Sequence, residues 1–455
     1  MSDPLQAKTV VVIGFARQGK ALARWLPTVG ARVVVNDGKT AEELKLNPAD
    51  YPTVEFILGG HPEILLEGAD LICVSGGVPL DLPILQMAQR YGVPLTNDAQ
   101  LFIERCPAPV IGITGSAGKT TTTTLVGEIF KRAGHKTWVG GNIGDVLLNV
   151  LPIIRPQDRV VMELSSFQLE LMTVSPNIGA VLNITPNHLD RHGTMEAYAQ
   201  AKAHILLHQK GRDVAVLGKD DPVASQLEQI AAGDVVWFSA REMIADGACL
   251  IGERLVVAGD ASPDGEPHVV CERSEIKLRG DHNVLNVLAA CAITGAAGVD
   301  AEVMAAVIRD FRGVAHRLET VRELNSVTWV NDSIATAPER VTAALRSYSE
   351  PLVLLLGGRD KKLPWDFMLS LALTKARHLI AFGEFGDGIV EVVKLLCGTD
   401  EPITRVATLD EAVTLAAQIA QPGDVVLLSP GGTSYDAYTD FVERGEHFRK
   451  LVQAL

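Results

Sequence analysis

The sequence predicts an α/β protein built from three successive units, and three observations predict it. Short apolar runs of Val, Ile and Leu alternate with helical patterns along the whole chain, the layout of parallel sheets covered by helices. Two stretches rich in breakers interrupt that alternation: Cys106-Pro107-Ala108-Pro109, and FRGVAHRLE at 311–319 with Gly313 as a hinge. The length of 455 residues exceeds what one hydrophobic core supports and favours about three domains. The expected divisions are 1–107, 108–313 and 314–455.

The first unit opens with KTVVVIG at 8–14, turns through GFARQG and enters the helical pattern KALARWL. ARVVVND follows and ends on Asn36 and Asp37. Strand, glycine turn, helix, strand and an acidic residue about twenty positions beyond the turn make a Rossmann-like, nucleotide-binding layout. Ala16 replaces the middle glycine of the dinucleotide fingerprint, so a tight turn without a cofactor is the alternative reading. DLICVS and VPLTN add two more strands before the prolines.

The second unit begins with PVIGITG and the stretch GITGSAGKTTTTTL at 112–125. Glycines at 112, 115 and 118 turn backbone N–H groups toward a phosphate, and the following helix adds its N-terminal dipole. The common phosphate-loop pattern requires a glycine at 113, where this chain has Ile113. Lys119 is placed to reach terminal phosphates and Thr120 to ligate magnesium, so ATP or GTP is the expected ligand. A carboxylate is needed at a neighbouring strand end, and Glu163 in VVMELS (160–165) fits. IGAVLNIT (178–185) runs into PNHLDRH; His188 and His192 lack the further Cys or His that zinc requires, so one histidine near the magnesium and phosphates is expected. DVAVLG (213–218), VVWFSA (235–240) and short strands over 248–280 continue the sheet, and DHNVLNVLAACAIT starts a helix after an Asp cap. The third unit runs VTWVND, PLVLLLGG, HLIAFGE and DVVLLSPGG, with Asp332 and Lys361 at the mouth of its sheet.

With 41 Lys and Arg against 55 Asp and Glu, the net charge of −14 argues against nucleic acid and anionic membranes as partners. The six cysteines, at 73, 106, 249, 271, 291 and 397, never form C-x-x-C and read as buried free thiols in a reducing compartment. No signal-peptide pattern and no apolar window of spanning length is present, so a cytoplasmic protein without membrane insertion is expected.

TGSAGKT, ELSSFQLE, NITPNHLDRH, the AKAHI after it, HNVLN, GVAHRLE, NDSIAT, GGRDK and SPGGTSYDAYTDFVERGEHF occur in this order. In that order the chain resembles the Mur ligases, the ATP-dependent enzymes of peptidoglycan precursor synthesis. The likeness covers all three units, and the variant loop has the family's form, G-x-x-G-x-x-G-K-[ST]. It implies a Rossmann-like UDP-sugar domain, a central phosphate-loop ATPase-like domain with a parallel sheet, and a C-terminal Rossmann-like amino-acid domain. The implied reaction phosphorylates a carboxylate with ATP and lets an amine displace phosphate from the acyl phosphate. Within the family the pattern is most similar to the member that adds D-glutamate to UDP-N-acetylmuramoyl-L-alanine.

The resemblance also implies residue roles. Gly112, Thr114, Gly115, Ser116, Ala117, Gly118, Lys119, Thr120 and Thr121 would hold ATP with Asn283, Asn286, Arg317 and Asp332. Magnesium would rest on Thr120, Glu163, His188 and a carbamylated Lys202, and Lys119, Glu163, His188 and Lys202 would form the catalytic set. Gly14, Phe15, Asp37, Ser75, Asn142 and His188 would meet the UDP substrate, and Thr336, Lys361, Ser434 and Phe441 the amino acid. A monomer that closes by rotation about Gly313 is expected. Three positions depart from the family pattern: Ala117 where many members have Asn, Gly76 where a proline is usual, and Ile334 where a lysine often helps hold the glutamate. Rival readings are another Mur-type or folylpolyglutamate-type amide ligase, an NAD-binding oxidoreductase and a non-catalytic nucleotide switch.

Overall fold

The computed structural model describes residues 3–144, 146–398 and 402–455. The chain packs as two compact units, one running up to Ile276 and adding Asp281–Asp310, the other joining Lys277–Gly280 to Phe311–Leu455. The first unit carries two sheets and the second carries one.

Five parallel strands form the N-terminal sheet, in the spatial order Val54–Leu58, Arg32–Asp37, Thr9–Ile13, Leu71–Val74, Leu95–Thr96. The order reverses beside Thr9–Ile13, which puts the turn after that strand at the crevice where α/β sheets bind ligands. Gly14 takes φ +90° in this turn, and a Cβ on Gly19 would stand 1.9 Å from the Gly14 carbonyl oxygen. The expected tight turn therefore forms, with the helix Arg17–Trp25 pressed against it.

The central sheet has nine strands, ordered His268–Glu272, Arg254–Ala258, Gly247–Ile251, Asp234–Ser239, Val214–Gly218, Ile178–Val181, Val110–Thr114, Arg159–Glu163, Thr137–Gly141. The pairs from Gly247–Ile251 to Thr137–Gly141 are parallel, and the first two strands add an antiparallel extension. Val110–Thr114 is buried at every position, so its run of apolar residues shows no alternation, as a strand covered on both faces requires. The glycine loop leaves its carboxyl end between the ends of Arg159–Glu163 and Ile178–Val181.

The six-stranded sheet of the second unit is ordered Glu319–Leu324, Val327–Asn331, Val425–Gly431, Leu352–Gly357, Ala376–Phe382, Ile403–Arg405, parallel except for its first pair. Asp332, the GGRDK turn and the glycines after Ser429 all lie at carboxyl ends of its three middle strands.

Several elements differ from the expectations. The strands Val54–Leu58, Thr137–Gly141, Glu319–Leu324 and Ile403–Arg405 are additional. The run over 178–185 is a strand only to Val181, because the chain then turns to brace the glycine loop. Asp281 sits in the first turn of the helix Asp281–Ala296 instead of capping it from outside. No two of the six cysteines are joined in a disulfide, but Cys106 is only half-buried and Cys397 is exposed. No helix among the described residues is long and apolar enough to cross a membrane.

Candidate active site

The glycine loop is held open by its own framework. Gly118 adopts φ +85° as the N-cap of the helix Lys119–Arg132, a conformation that costs an L side chain energy. The segment after Ile178–Val181 fastens the loop from below. Asn183 accepts from the Ala117 N–H at 2.9 Å and donates to the Ala117 carbonyl at 3.1 Å, and the Ser116 hydroxyl donates to Thr185 O at 2.9 Å. Asn286, buried and 2.9 Å from Asn283, packs so tightly on Gly118 that a Cβ there would come within 2.1 Å of its Oδ1. Asn286 of HNVLN therefore lies against the phosphate loop, with Asn283 bonded to it. Gly112, Thr114 and Gly115 are buried in the strand and its exit, while Thr121 is half-buried in the helix.

A carboxylate stands where the helix begins. Glu163 is 2% exposed; its Oε2 accepts from the Thr120 hydroxyl at 2.8 Å and its Oε1 from the Asn142 side-chain amide at 2.9 Å. Asn142 also donates its main-chain N–H to the Glu163 carbonyl at 2.9 Å. Thr120, Asn142 and Glu163, called from three separate motifs, are thus one cluster. A carboxylate and a hydroxyl are hard oxygen donors of the kind that magnesium takes together with phosphate oxygens and water. Among the described residues no three His, Cys, Asp or Glu side chains gather into a metal cluster, so the donor set is of this sparse kind.

Two lysines converge on the same loop carbonyl. Lys119 Nζ donates to Gly115 O at 2.7 Å, and Lys202 Nζ donates to it at 3.0 Å and to Thr114 Oγ1 at 3.3 Å. Lys202 is 1% exposed, lies 4.7 Å from the centre of the Tyr198 ring and has no carboxylate bonded to it. Burial, with the Lys119 charge adding to it, holds its pKa well below the ordinary lysine value. Burial thus disfavours the ammonium form of Lys202 and favours the free amine, the form that acts as a nucleophile.

The two histidines of PNHLDRH separate in role. His188 is exposed at φ +53° and meets the edge of the Phe167 ring at 5.2 Å. His192 stacks flat on the same ring at 5.1 Å and contacts the Ser166 hydroxyl at 2.9 Å, a structural position.

At the N-terminal sheet, the Phe15 N–H donates to Asp37 Oδ2 at 2.7 Å, and Ser75 Oγ donates to Gly14 O at 2.8 Å. The Phe15 ring is buried against Tyr51 and Phe56, which leaves only its backbone to face a ligand. Asp37 takes a second N–H from Lys39 at 2.9 Å, so its carboxylate first serves to shape the turn. Arg17 then ties this turn to the central sheet, donating to the carbonyls of Gly141 (3.2 Å), Asn142 (3.0 Å) and Gly144. The sequence reading passed over Arg17; its only signal was a cation inside a glycine turn.

In the second unit Asp332 is buried, accepting from Ser429 Oγ at 2.8 Å and from the Leu318 N–H at 3.2 Å, and burial pushes its pKa up to about 7. Arg317, the residue just before that N–H, is exposed. Lys361 Nζ donates to Thr336 Oγ1 at 3.2 Å; partial burial, then the charge of Arg340, lowers its pKa. Ser434 is buried, and Phe441 lies edge-on to His316 with centroids 6.3 Å apart. Arg444 was missed altogether. It is fully buried and donates to Ser333 Oγ (3.0 Å), Ser333 O (2.9 Å) and Gly432 O (3.2 Å), joining the NDS turn to the SPGG turn.

Family models match the chain in three successive stretches. Residues 8–97 match the N-terminal domain of Mur ligases of the MurD type, 113–294 the Mur ligase middle domain and 316–432 the Mur ligase glutamate ligase domain. The chain is 42% identical over 451 residues to the UDP-N-acetylmuramoylalanine–D-glutamate ligase of Pelotomaculum thermopropionicum, covering 98% of each. It belongs to the Mur ligase family. A ligase of the same name from Symbiobacterium thermophilum is 43% identical over 98% of this chain and 97% of its own. Among solved structures, UDP-N-acetylmuramate-alanine ligase MurC from Thermotoga maritima (TM-score 0.55, 20% identity, 98% of this chain and 99% of that one) has the same fold. So does MurF from Acinetobacter baumannii (TM-score 0.55, 18% identity, 100% and 92%). The three-domain α/β architecture expected from the sequence is thus that of the family.

Proposed function

We propose that this protein is the ATP-dependent ligase that joins D-glutamate to UDP-N-acetylmuramoyl-L-alanine in peptidoglycan precursor synthesis, acting as a cytoplasmic monomer. The observation that carries the reading is the Thr120–Glu163–Asn142 cluster at the mouth of a phosphate loop, in a chain matched end to end by ligases of that name. The substrate carboxylate is a poor electrophile until ATP phosphorylates it; the amine of D-glutamate then attacks the acyl phosphate, and the tetrahedral intermediate expels phosphate. Such chemistry asks the protein mainly to position groups and to neutralise charge.

Each residue has a part in that work. The loop from Gly112 to Thr121 cradles the triphosphate, and Lys119 swings from Gly115 O to the terminal phosphates. Asn283 and Asn286 border the adenine, and Arg317 and Asp332 are the further nucleotide-binding residues. Magnesium, held by Thr120, Glu163, His188 and modified Lys202, would neutralise the phosphate charge. In its neutral form, which burial favours, the Lys202 amine adds to CO₂, forming an N–C bond and releasing one proton, and the resulting carbamate is an anionic oxygen donor. Gly14, the Phe15 backbone, Asp37, Ser75, Asn142 and His188 bind the UDP-sugar. Thr336, Lys361, Ser434 and Phe441 receive the glutamate. The test is phosphate release from ATP with UDP-N-acetylmuramoyl-L-alanine, with and without D-glutamate; release that ignores D-glutamate would overturn the reading.

A further inference from the structure

The loop over residues 334–336 gathers two cations, Arg340 and Lys361, each bonded to a neutral oxygen of the loop. Ile334 brings no charge of its own, but its carbonyl oxygen accepts from the Arg340 guanidinium at 3.1 Å as well as from the Thr336 N–H at 2.9 Å. Two residues on, the Thr336 hydroxyl accepts from Lys361 at 3.2 Å. Among the described residues neither Arg340 nor Lys361 forms an ion pair with a carboxylate. Asp332, the buried acid nearby, has its oxygens engaged by Ser429 and the Leu318 N–H, and the Arg340 charge acts on it only at a distance. Glu339, on the same turn as Arg340, acts on Lys361 only at a distance. The helix Pro338–Arg346 starts here as well, and its N-cap residue, Ala337, offers no side-chain acceptor.

Two like charges tethered to one short loop repel each other, and Arg340 does depress the pKa of Lys361. Such a pair is unfavourable alone and becomes favourable once an anion lies between its members. A guanidinium also presents two N–H groups to a carboxylate in one plane, which an ammonium does not. We infer that Arg340 is a specificity-determining residue that, together with Lys361, clamps one carboxylate of the incoming dicarboxylic amino acid. This rests on the proposed function for the identity of the amino acid. It extends that reading by giving the charge missing at Ile334 to a residue six positions further along the chain.

The experiment uses the full-length protein and Arg340→Gln, with Arg340→Lys beside it. Arg340 is exposed and its main-chain N–H bonds within the helix turn, so the variants should fold; circular dichroism and the melting temperature check this. The expected result is a ten- to hundredfold rise in KM for D-glutamate in Arg340→Gln, with KM for ATP and for the UDP-sugar within twofold of wild type. Arg340→Lys should recover part of the loss. A merely structural role would shift all three constants together, and that result, or an unchanged KM for D-glutamate, overturns the inference. Binding of D-glutamate by calorimetry separates the two readings. Arg340-dependent binding without turnover sinks the proposed reaction and keeps the clamp, whereas turnover that ignores Arg340 sinks the clamp alone. Absence of D-glutamate binding to the wild type overturns both.

Discussion

Arg444→Met should loosen the NDS and SPGG turns of the second unit, the proposed amino-acid side, without unfolding the rest of the protein. The guanidinium is fully buried, and its three N–H bonds end on neutral acceptors: Ser333 Oγ, Ser333 O and Gly432 O. Burial lowers its pKa to about 10, which still leaves it charged at neutral pH. Methionine replaces the volume of the stem but leaves both carbonyls without their donor. Orphaning a buried acceptor costs about 1–3 kcal/mol. Removing a buried charge that lacks a carboxylate partner offsets part of this. A net local loss of about 2 kcal/mol is the result, which corresponds to about thirtyfold faster opening. Hydrogen exchange followed by mass spectrometry reads it directly: peptides covering 331–337 and 429–434 should exchange about thirtyfold faster, and peptides of the central sheet should not change. KM for D-glutamate should rise in parallel. Unchanged exchange in those two turns, or uniform acceleration through the whole chain, would refute the assignment of Arg444 as their tie.

Lys361→Ala should raise KM for D-glutamate by about ten- to a hundredfold, from the loss of a charged hydrogen bond, and that for ATP far less; equal shifts would place Lys361 elsewhere. Lys202→Ala should lose most activity and regain some with added short-chain carboxylic acids that stand in for the carbamate, while full activity of the variant would end the idea of a modified lysine. Asp332 titrates at about 7 in the folded chain and in the ordinary carboxylate range when unfolded. The native state therefore holds the proton more tightly, and the contribution of Asp332 to stability falls as pH rises from about 4 to 7, by up to about 4 kcal/mol. Asp332→Asn should remove that slope, so its urea midpoint should gain on the wild type across this window; a constant difference between the two would contradict the buried, proton-holding carboxyl.

Much of this was legible in the sequence because the informative residues sit at strand ends. Glu163 announced itself as the first charge after an apolar run, and Thr120 by its place after G-K, so their meeting followed from the parallel sheet alone. Strands buried on both faces read clearly, as Val110–Thr114 does. Edge strands such as Val54–Leu58 and Glu319–Leu324 did not, since their half-exposed residues dilute the apolar signal. Arg17 and Arg444 were illegible for a different reason. Each bonds to a main-chain carbonyl more than a hundred residues away in sequence, Asn142 O for Arg17 and Ser333 O for Arg444, and no pattern of residue types marks a carbonyl as a partner. Arg340 stayed hidden because its link to position 334 depends on a turn of backbone that spacing alone does not fix.

The most direct test is phosphate release from ATP in four parallel reactions: protein alone, with UDP-N-acetylmuramoyl-L-alanine, with D-glutamate, and with both, the sugar product of the last being weighed by mass spectrometry. Sustained release only in the complete mixture, with one glutamyl residue added to the UDP-sugar for each phosphate released, is the predicted result. Steady release without D-glutamate, or release in the complete mixture with no gain in mass on the UDP-sugar, would contradict the account.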